Sequence, residues 1–535
     1  MQYDKLLRDP AHLQELMSLF TESITAEVQD NAVAALAVLD RAVALNPLFL
    51  PARMRRADLL LELARHAEAI AEYDDCLRFF PTLEQAVQSR QQALLLAVAH
   101  GAQALQERPN DIGLLCRQAQ WQFSLERGDD ALASLDCALA LEPDHIDALN
   151  MRGKLLLLLN RHEQALLCYD RLLALSPADA VMMFNRGNVL QKMNHIHQAQ
   201  WCYQQALVLQ PEFPEAEMAH SHCLLLQADF SAGWQGHEAR WRTAQLREHA
   251  QFQGVPAWLG ETSLTGRHII LWAEQGLGDT LQFVRYVPVV AARAAQVTLW
   301  VPPTLQHLLA GSLATLLNVQ VVSHHQELAA HDLHCPLMSL PLALRATLEL
   351  IPADVPYLRA DAQLRGRWAE RLSTQLGVVA APRLKVGLAW AGRQYGECNL
   401  TRDIPLRQLQ ALAAIELDYV SLQCEVPSAD SAELQRWPKM RRLESDLIDM
   451  SQTAALIANL DLVISADTAV IHLAGALGRP AWLLLRHESE WRWGLQSGDS
   501  IWYPTLKLFR QKKNGDWAGV AEEVAACLRL LAAKP

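Results

Sequence analysis

The pattern of apolar and polar positions divides the chain into two parts. In the first part, apolar residues recur at helical spacing, and prolines interrupt the pattern at a regular interval. Proline cannot continue a helix, so each one marks a turn between helices. An interval of about 34 residues links Pro47 with Pro81, and the same interval links Pro109, Pro143, Pro177 and Pro211 in succession. The interval from Pro81 to Pro109 is shorter, which predicts one shortened or degenerate repeat.

Small and large residues recur within the same period. Four positions where two helices must approach closely are small: Ala57, Ala119, Gly153 and Gly187. The equivalent spot of the second helix is held by Ala69, Ala131, Ala165 and Ala199, with Tyr73, Tyr169 and Tyr203 four residues later on the same face. Over roughly residues 16 to 243, the chain resembles the tetratricopeptide family. That resemblance implies a solenoid that binds other molecules and has no chemistry of its own.

Three residues of the repeats are candidates for contact with a partner protein. Arg55, Arg117 and Asn185 share one repeat position, which in such arrays usually faces a concave groove. Two interpretations stay open at this stage. The residues are either solvated surface groups or contacts to an extended peptide backbone or acidic side chains.

The second part alternates short apolar runs with helical patterns from about Gly266 onward. Strands are predicted at 268–272, 296–301, 319–322 and 332–335, with a helix from Thr280 to Ala294. After Pro382, strands are predicted at 384–390, 419–423, 462–465 and 481–485, with helices at 451–459, 470–477 and 517–532. This order is typical of parallel βαβ units. It predicts two Rossmann-like halves behind the repeats, an α plus α/β fold class.

The predicted domain boundaries follow from these changes of pattern. Residues 1–245 form the repeat array and residues 246–266 a linker. Residues 267–375 form the first Rossmann-like half, on the acceptor side. Residues 376–535 form the second half, on the donor side, with a closing helix.

The first segment with candidate chemistry lies between a predicted strand and a helix. Gly276 and Gly278 allow a tight turn and a close approach to a ligand. A dinucleotide fingerprint would need a further glycine near Leu281, so a nicotinamide or flavin site is disfavoured. Asp279 could take a proton from an acceptor hydroxyl, or it could simply cap the following helix.

The second segment opens the helix after strand 462–465. Asp467 and Thr468 are good helix-capping residues, and the backbone N–H groups near Ala469 could hold a phosphate. His472 follows Thr468 by four residues, so it could face the same ligand. A purely structural cap is the alternative interpretation.

The third segment follows strand 384–390. Trp390, Gly392 and Arg393, with Arg402 beyond them, suit a pocket for a negatively charged leaving group. Gln423, at the end of the next strand, is placed with them as a donor-binding residue. Ordinary surface charge is the alternative explanation for the two arginines.

Eight segments in order resemble tetratricopeptide proteins that carry a heptosyltransferase-like (glycosyltransferase family 9) domain. The segments are 272–286, 336–341, 386–392, 462–475, 491–493, 502–504, 508–511 and 516–517. The resemblance covers about residues 233 to 531 and implies a GT-B fold, with Asp279 as catalytic base and 467–472 as the donor-phosphate loop. Lipopolysaccharide heptosyltransferases usually carry a lysine after the Trp390-like strand. Arg393 and Arg402 stand there instead, which counts against ADP-heptose as donor.

Composition narrows the possible partners. The net charge of −12 argues against general binding to nucleic acid or anionic membranes. No apolar run is long enough to span a bilayer, and the first residues lack a secretory signal pattern. The ten cysteines are scattered, which favours reduced thiols in the cytoplasm.

Metal binding is not expected. The paired histidines lack partners at ligand spacing, and no Asp-x-Asp pair occurs to clamp a metal on a nucleotide diphosphate. Irregularly spaced aromatics near the end are expected to serve packing: Trp491, Trp493, Trp502, Tyr503 and Trp517.

The sequence therefore predicts a metal-independent glycosyltransferase. It would transfer a sugar from a nucleotide-sugar co-substrate, with no other cofactor, to Ser or Thr hydroxyls of a protein held by the repeats. Flagellin and surface adhesins are the acceptors suggested by analogy. The alternatives are a non-catalytic interaction protein with a degenerate transferase domain and a heptosyltransferase acting on a glycan or lipid.

Overall fold

The computed structural model describes residues 10–29, 31–243, 246, 252, 254–376, 383–392, 402–437, 439–488, 490–495 and 498–533. The chain divides into two compact units, residues 1–189 and 190–535. This division lies inside the predicted repeat array. The domain boundaries proposed from the sequence stay predictions.

The first unit consists of helices. They are α1 Pro10–Val28, α2 Ala32–Leu45, α3 Leu50–Glu62, α4 His66–Phe79, α5 Glu84–Glu107, α6 Ile112–Ser124, α7 Gly128–Leu141, α8 Ile146–Leu158, α9 His162–Leu175 and the start of α10 Ala180–Lys192. Consecutive helices pack against each other in pairs, as expected for a tetratricopeptide solenoid.

A single left-handed residue reverses the chain between the two helices of a repeat. Ala64, Glu126 and Asn160 have φ values of 56°, 61° and 57°. Asn194 and Ala228 continue the series in the second unit, with φ values of 60° and 63°. From Glu126 onward these turns recur at the same interval as the prolines, so the backbone follows the period of the sequence.

The irregular repeat predicted between Pro81 and Pro109 is a single continuous helix. Helix α5 runs for 24 residues, where other repeats have a turn. Val98 occupies the position one repeat period after the left-handed Ala64. A β-branched side chain strongly disfavours positive φ, so the reversal does not form there.

The predicted close approaches within repeats are confirmed where the structure describes them. Ala69, Ala131 and Ala165 are fully buried. A Cβ atom at Gly153 would lie 2.9 Å from Cζ of Tyr169. That contact leaves no room for a side chain at position 153.

The three candidate groove residues differ in their surroundings. The Arg55 guanidinium donates to the Glu27 carboxylate, with Nε 2.9 Å from Oε2, and also contacts Glu62. Arg117 is exposed, and Asn185 is half-buried. The charge of Arg55 is therefore balanced within the repeats, whereas Arg117 is open to a partner.

The second unit begins with the last repeat helices. After the end of α10 come α11 Ile196–Leu209, α12 Pro214–Leu226, α13 Phe230–His237 and a 3₁₀ turn at Glu238–Arg242. Trp234 of α13 packs edge-on against Trp491 and Phe283, with ring centroids 5.3 and 6.0 Å apart. These helices therefore share a core with the α/β region that follows.

Two parallel sheets form the α/β region. The first contains β1 His268–Trp272, β2 Gln296–Val301, β3 Val319–Ser323 and β4 Leu333–Pro336, in the order β3-β2-β1-β4. The second contains β5 Lys385–Ala389, β6 Asp418–Ser421, β7 Leu462–Ala466, β8 Ala481–Leu485 and β9 Leu506–Arg510, in the order β6-β5-β7-β8-β9. The predicted α plus α/β fold class is confirmed.

Helices of 4 to 16 residues lie between the strands and after the last one. They are α14 Leu277–Phe283, α15 Val287–Ala291, α16 Pro303–Leu313, α17 Leu340–Ala343, α18 Ala362–Leu376, α19 Gln410–Ala413, α20 Ser431–Gln435, α21 Met450–Ile457, α22 Ala469–Ala476 and α23 Trp517–Ala532. Single 3₁₀ turns join several of them.

The helix predicted over 280–294 is wrong as a continuous element. It is broken into α14, a 3₁₀ turn at Val284–Tyr286 and α15. Pro288 lies at the start of α15 and has no N–H to continue the helical hydrogen bonds. The segment therefore consists of three short helical pieces, and the last of them ends at Ala291.

Strand β9 was not predicted. Leu506 and Leu508 are buried, but the exposed Lys507 between them gives the short segment an alternating pattern. It is an edge strand that pairs only with β8 among the described strands. The five aromatic residues predicted to serve packing are all buried, which confirms that prediction.

No helix of the described residues carries an apolar stretch that could cross a membrane.

Candidate functional site

A cavity of about 590 Å³ lies at the carboxyl ends of strands from both sheets. Loops after β1, β5, β6 and β7 line it, because parallel strands of one sheet end at the same edge. The predicted site residues that line it are Gly276, Gly278, Asp279, Gly392, Arg402, Gln423, Asp467, Thr468, Ala469 and His472. The fold thus brings together segments that lie far apart in the sequence.

Asp279 lies in the first turn of α14 and serves the helix as a cap. Its Oδ2 accepts a hydrogen bond from the Gly276 N–H at 3.1 Å. Its Oδ1 accepts one from the Arg492 guanidinium. The carboxylate nevertheless retains 19% exposure. The capping interpretation is therefore observed, and it does not prevent the side chain from meeting a ligand.

Gly278 is required by a close approach. A Cβ atom at this position would lie 2.9 Å from Cδ2 of His472. The first turn of α14 therefore packs directly on α22. Helix α14 follows β1 of the first sheet, and α22 follows β7 of the second. Their contact therefore crosses the cleft between the two sheets.

The turn from β7 into α22 presents a helix N-terminus to the cavity. Thr468 is the N-cap residue, and its hydroxyl accepts from the Val470 N–H at 3.3 Å. Asp467 accepts from Nε1 of Trp493 at 2.9 Å. Burial and the nearby Glu490 charge raise the pKa of Asp467 above its ordinary value. Free N–H groups and the helix dipole make this turn suitable for an anion.

His472 lies in the cavity wall without a charge at neutral pH. Burial, with the positive charge of Arg492, lowers its pKa well below the ordinary value for histidine. Its Nδ1 lies 2.9 Å from the Tyr503 hydroxyl. The ring therefore offers a neutral hydrogen-bonding group to a ligand.

The segment after β5 shapes the cavity through its backbone. The Gly392 N–H donates to Asp403 at 2.8 Å, and Arg402 lies beside Gly392 in the cavity wall. Arg393, predicted to bind the donor, lies outside the described residues.

Trp390 does not line the cavity, whereas Gln423 lines it and also bonds the backbone of the neighbouring strand end. Trp390 is fully buried below the cavity, and its Nε1 donates to Asp430 at 2.9 Å. It does not line the cavity, because the apolar core behind β5 takes up the ring. Oε1 of Gln423 accepts from the backbone N–H groups of Trp390 and Ala391 at 2.9 and 3.1 Å. Gln423 therefore holds the ends of β5 and β6 together.

Three charged residues of the cavity, Glu425, Glu490 and Arg492, were missed by sequence reasoning. Arg492 contacts Asp279 and also donates to Oε1 of Gln282 at 2.8 Å. Burial alone would raise the pKa of Glu490, but the charges of Arg492 and Arg486 outweigh it and the pKa is lowered. The signal was an arginine between two tryptophans, Trp491 and Trp493, in a segment assigned only to packing.

Because His472 is neutral in the folded chain, we expect the protein to lose stability in acid. The unfolded chain binds a proton at this residue below about pH 6.5, whereas the folded chain does not. Stability is therefore present above that pH and is lost as the pH falls. His472→Asn keeps a group able to bond Tyr503, and it should flatten the slope below pH 6 by about 1.4 kcal/mol per pH unit.

Thermal unfolding followed from pH 7 to pH 5 measures this slope. His197→Asn, on the exposed face of α11, is the matched control and should leave the slope unchanged. An equal slope in the wild type and in His472→Asn would contradict a neutral folded histidine.

Two family models match parts of the chain. The model for tetratricopeptide repeats matches residues 25–84 and 116–180. The model for glycosyltransferase family 9 (heptosyltransferase) matches residues 437–502. The chain therefore joins tetratricopeptide repeats to a domain matched by the glycosyltransferase family 9 model. The matched stretch contains the turn at 467–472 and Arg492, whereas Asp279 lies outside it.

One curated relative is similar over much of the chain. Protein FlbA of Caulobacter vibrioides is 28% identical over 347 residues, which cover 59% of this chain and 55% of FlbA. The chain thus spans about half the length of that relative.

Solved structures resemble the helical part only weakly. The crystal structure of MamA is 15% identical, with a TM-score of 0.27, and covers 32% of this chain and 96% of MamA. A tetratricopeptide repeat protein from Parabacteroides merdae is 14% identical, with a TM-score of 0.27. The match covers 45% of this chain and 95% of the Parabacteroides chain. Likeness at this level indicates nothing about function.

Proposed function

We propose that the second unit is a glycosyltransferase that moves a sugar from a nucleotide-activated donor to a hydroxyl group of a protein. The observation that carries the proposal is the cavity itself. It unites a carboxylate, Asp279, with a helix N-terminus at Thr468 and with two arginines, Arg402 and Arg492. The match to glycosyltransferase family 9 covers the β7–α22 part of this cavity.

The donor phosphates would bind at the start of α22. The start of a helix favours negative charge through its dipole, and here the Val470 N–H is capped by the Thr468 hydroxyl, a weak partner at 3.3 Å that a phosphate oxygen could replace. Arg402 and Arg492 line the same cavity; Arg402 adds positive charge there, whereas the charge of Arg492 is shared with its partner Asp279. Because these groups supply the compensation, we propose that donor binding needs no metal ion.

Asp279 would act on the acceptor. The acceptor oxygen forms a bond to the anomeric carbon of the sugar while the bond from that carbon to the phosphate oxygen breaks. The hydroxyl proton passes to Asp279, and the nucleotide leaves with its phosphates. A carboxylate at the carboxyl end of a parallel strand is well placed for such general base catalysis.

The acceptor would be Ser or Thr of a protein bound by the repeats in the cytoplasm. Tetratricopeptide repeats are binding scaffolds. Arg55, Arg117 and Asn185 occupy the same position in three different repeats. Flagellin or a surface adhesin is the kind of acceptor we propose by analogy. The two alternative functions are a scaffold without catalysis and a transferase that acts on glycans or lipids.

Donor binding is tested with a panel of nucleotide sugars and the full-length chain. Arg402→Gln is expected to raise the dissociation constant of the bound nucleotide about 10-fold, because one charge-assisted contact to phosphate is lost. Binding should persist in a chelator. Isothermal titration with and without EDTA measures both quantities.

Arg436→Gln is the matched control, since that side chain is 72% exposed and lies outside the cavity. It should leave the affinity unchanged. A strict requirement for magnesium or manganese would overturn metal-independent binding. Nucleotide binding without any release of free nucleotide, whatever acceptor is offered, would favour the scaffold.

A further inference from the structure

A second cavity lies behind the first, within the same unit. Its volume is about 450 Å³, within the usual range for ligand sites. Helices α12 and α13, the loop after β1 and the 3₁₀ turn at Trp491–Trp493 surround it. Four residues line both cavities: Gln275, Gly276, Glu490 and Arg492. The two spaces therefore adjoin at these residues, and one of them, Gly276, donates its N–H to Asp279.

The charges around the second cavity are already balanced. Arg240 is almost fully buried, and its guanidinium donates to Glu238 at 2.6 Å and to Glu274 at 3.2 Å. The Ser339 hydroxyl is a further partner at 2.6 Å. Glu274 in turn accepts from the Met338 N–H at 3.1 Å. Arg240 is therefore fixed in place and offers no uncompensated charge to an anion.

Two imidazoles add neutral hydrogen-bonding groups. His222 and His237 lie with ring centroids 5.7 Å apart. Burial lowers the pKa of His222 to about 4 and that of His237 well below its ordinary value. His222 and His237 both line the cavity, and Nδ1 of His237 lies 3.2 Å from the Arg240 guanidinium.

The rest of the lining is mostly apolar. Met218, Leu246, Met338 and Trp491 supply the apolar part, and Thr243 is also part of the wall. A phosphate-bearing glycan or lipid headgroup would need positive charge that is not already paired. Both arginines of the lining are paired, Arg240 with Glu238 and Glu274 and Arg492 with Asp279. Uncharged backbone amides and small side chains suit a mixture of neutral imidazoles and apolar walls.

We propose that the second cavity receives an uncharged, hydroxyl-bearing segment of a polypeptide acceptor. The proposal rests on the proposed function and names the place and the class of its acceptor. The Ser or Thr side chain would pass Gly276, which has no side chain to block it, and reach Asp279 on the other side. The His222 imidazole in the cavity wall would bond a peptide group of the segment.

The occupant is tested on the full-length chain by thiol protection. Met218→Cys places a small reactive group in the cavity wall, and Val208→Cys places one on α11, where the side chain is 73% exposed. Labelling by iodoacetamide is measured at each position by mass spectrometry. The probes are a pool of uncharged synthetic peptides with one Ser or Thr each, and a phosphorylated oligosaccharide.

The peptide pool should slow labelling at position 218 at least about 5-fold and leave position 208 unchanged, while the oligosaccharide protects neither. Protection by the oligosaccharide alone, or by neither probe, would overturn the proposal. The measurement needs no donor and no turnover, so its result does not depend on whether the protein is a transferase. Loss of nucleotide binding with intact peptide protection would instead count against the transferase assignment.

A bulkier change gives a kinetic readout. Met218→Trp fills part of the cavity, whereas Val208→Trp adds the same ring to the surface. Met218→Trp should raise the KM for acceptor peptide about 10- to 100-fold and leave the donor dissociation constant unchanged. An unchanged peptide KM in a folded Met218→Trp protein would contradict the proposal.

Discussion

Asp279→Asn is expected to lower turnover by about 10²- to 10⁴-fold, the usual contribution of a general base. Asparagine has the same shape and keeps an oxygen that can accept from the Gly276 N–H, so the start of α14 should persist. It cannot take the proton of an acceptor hydroxyl. Steady-state release of nucleotide in the presence of acceptor measures the loss, and nucleotide affinity should change much less.

The control is another capping aspartate of the same unit. Asp449 caps α21 by accepting from the Gln452 N–H at 2.9 Å, and it lies outside the cavity. Asp449→Asn should have near-normal turnover and a comparable small change in melting temperature. If Asp279→Asn also turned over at a near-normal rate, Asp279 would be a helix cap and nothing more.

Truncation is expected to have the second large effect, and its size depends on where the chain is cut. A fragment that starts at Pro177, before α10, keeps the last repeat helices with the α/β region. It should bind nucleotide like the full chain. A fragment that starts at Gly254 lacks Trp234, which packs on Trp491 and Phe283. Loss of a buried tryptophan costs about 3–5 kcal/mol, so this fragment should unfold or aggregate.

Circular dichroism and nucleotide titration distinguish the two fragments. A soluble 254–535 fragment with full nucleotide affinity would show that the helices are dispensable for the fold. The 177–535 fragment should modify a natural protein acceptor poorly, because it lacks most repeats. Residues 1–189 alone should capture that acceptor without donor. Equal modification by the 177–535 fragment and the full chain would assign the repeats another role.

The repeat array was predictable because its signals are local. Proline, small residues and tyrosines return at fixed spacing, and each repeat packs on its neighbours. The strands were also predictable, since their apolar runs are short and continuous. Two features were missed. The break between α14 and α15 is a short 3₁₀ turn, which has no sequence pattern of its own. Strand β9 is an edge strand whose exposed lysine interrupts its apolar run.

The candidate site was predictable in position more than in chemistry. Asp279 and Asp467 follow strands of parallel sheets, whose carboxyl ends meet in one place. Arg492 lies 213 residues from Asp279, and no local pattern links them. The neutral state of His472 and the deep burial of Trp390 follow from packing by distant segments, which the sequence pattern does not show.

The contact between Gly278 and His472 joins the two halves of the α/β region across the cleft. Since Asp279 belongs to one half and Arg492 to the other, their ion pair spans the same gap. Both side chains of the pair are mostly buried, so added salt should screen it little. The carboxylate proposed to take a proton from the acceptor is thus also one of the groups that hold the two halves together.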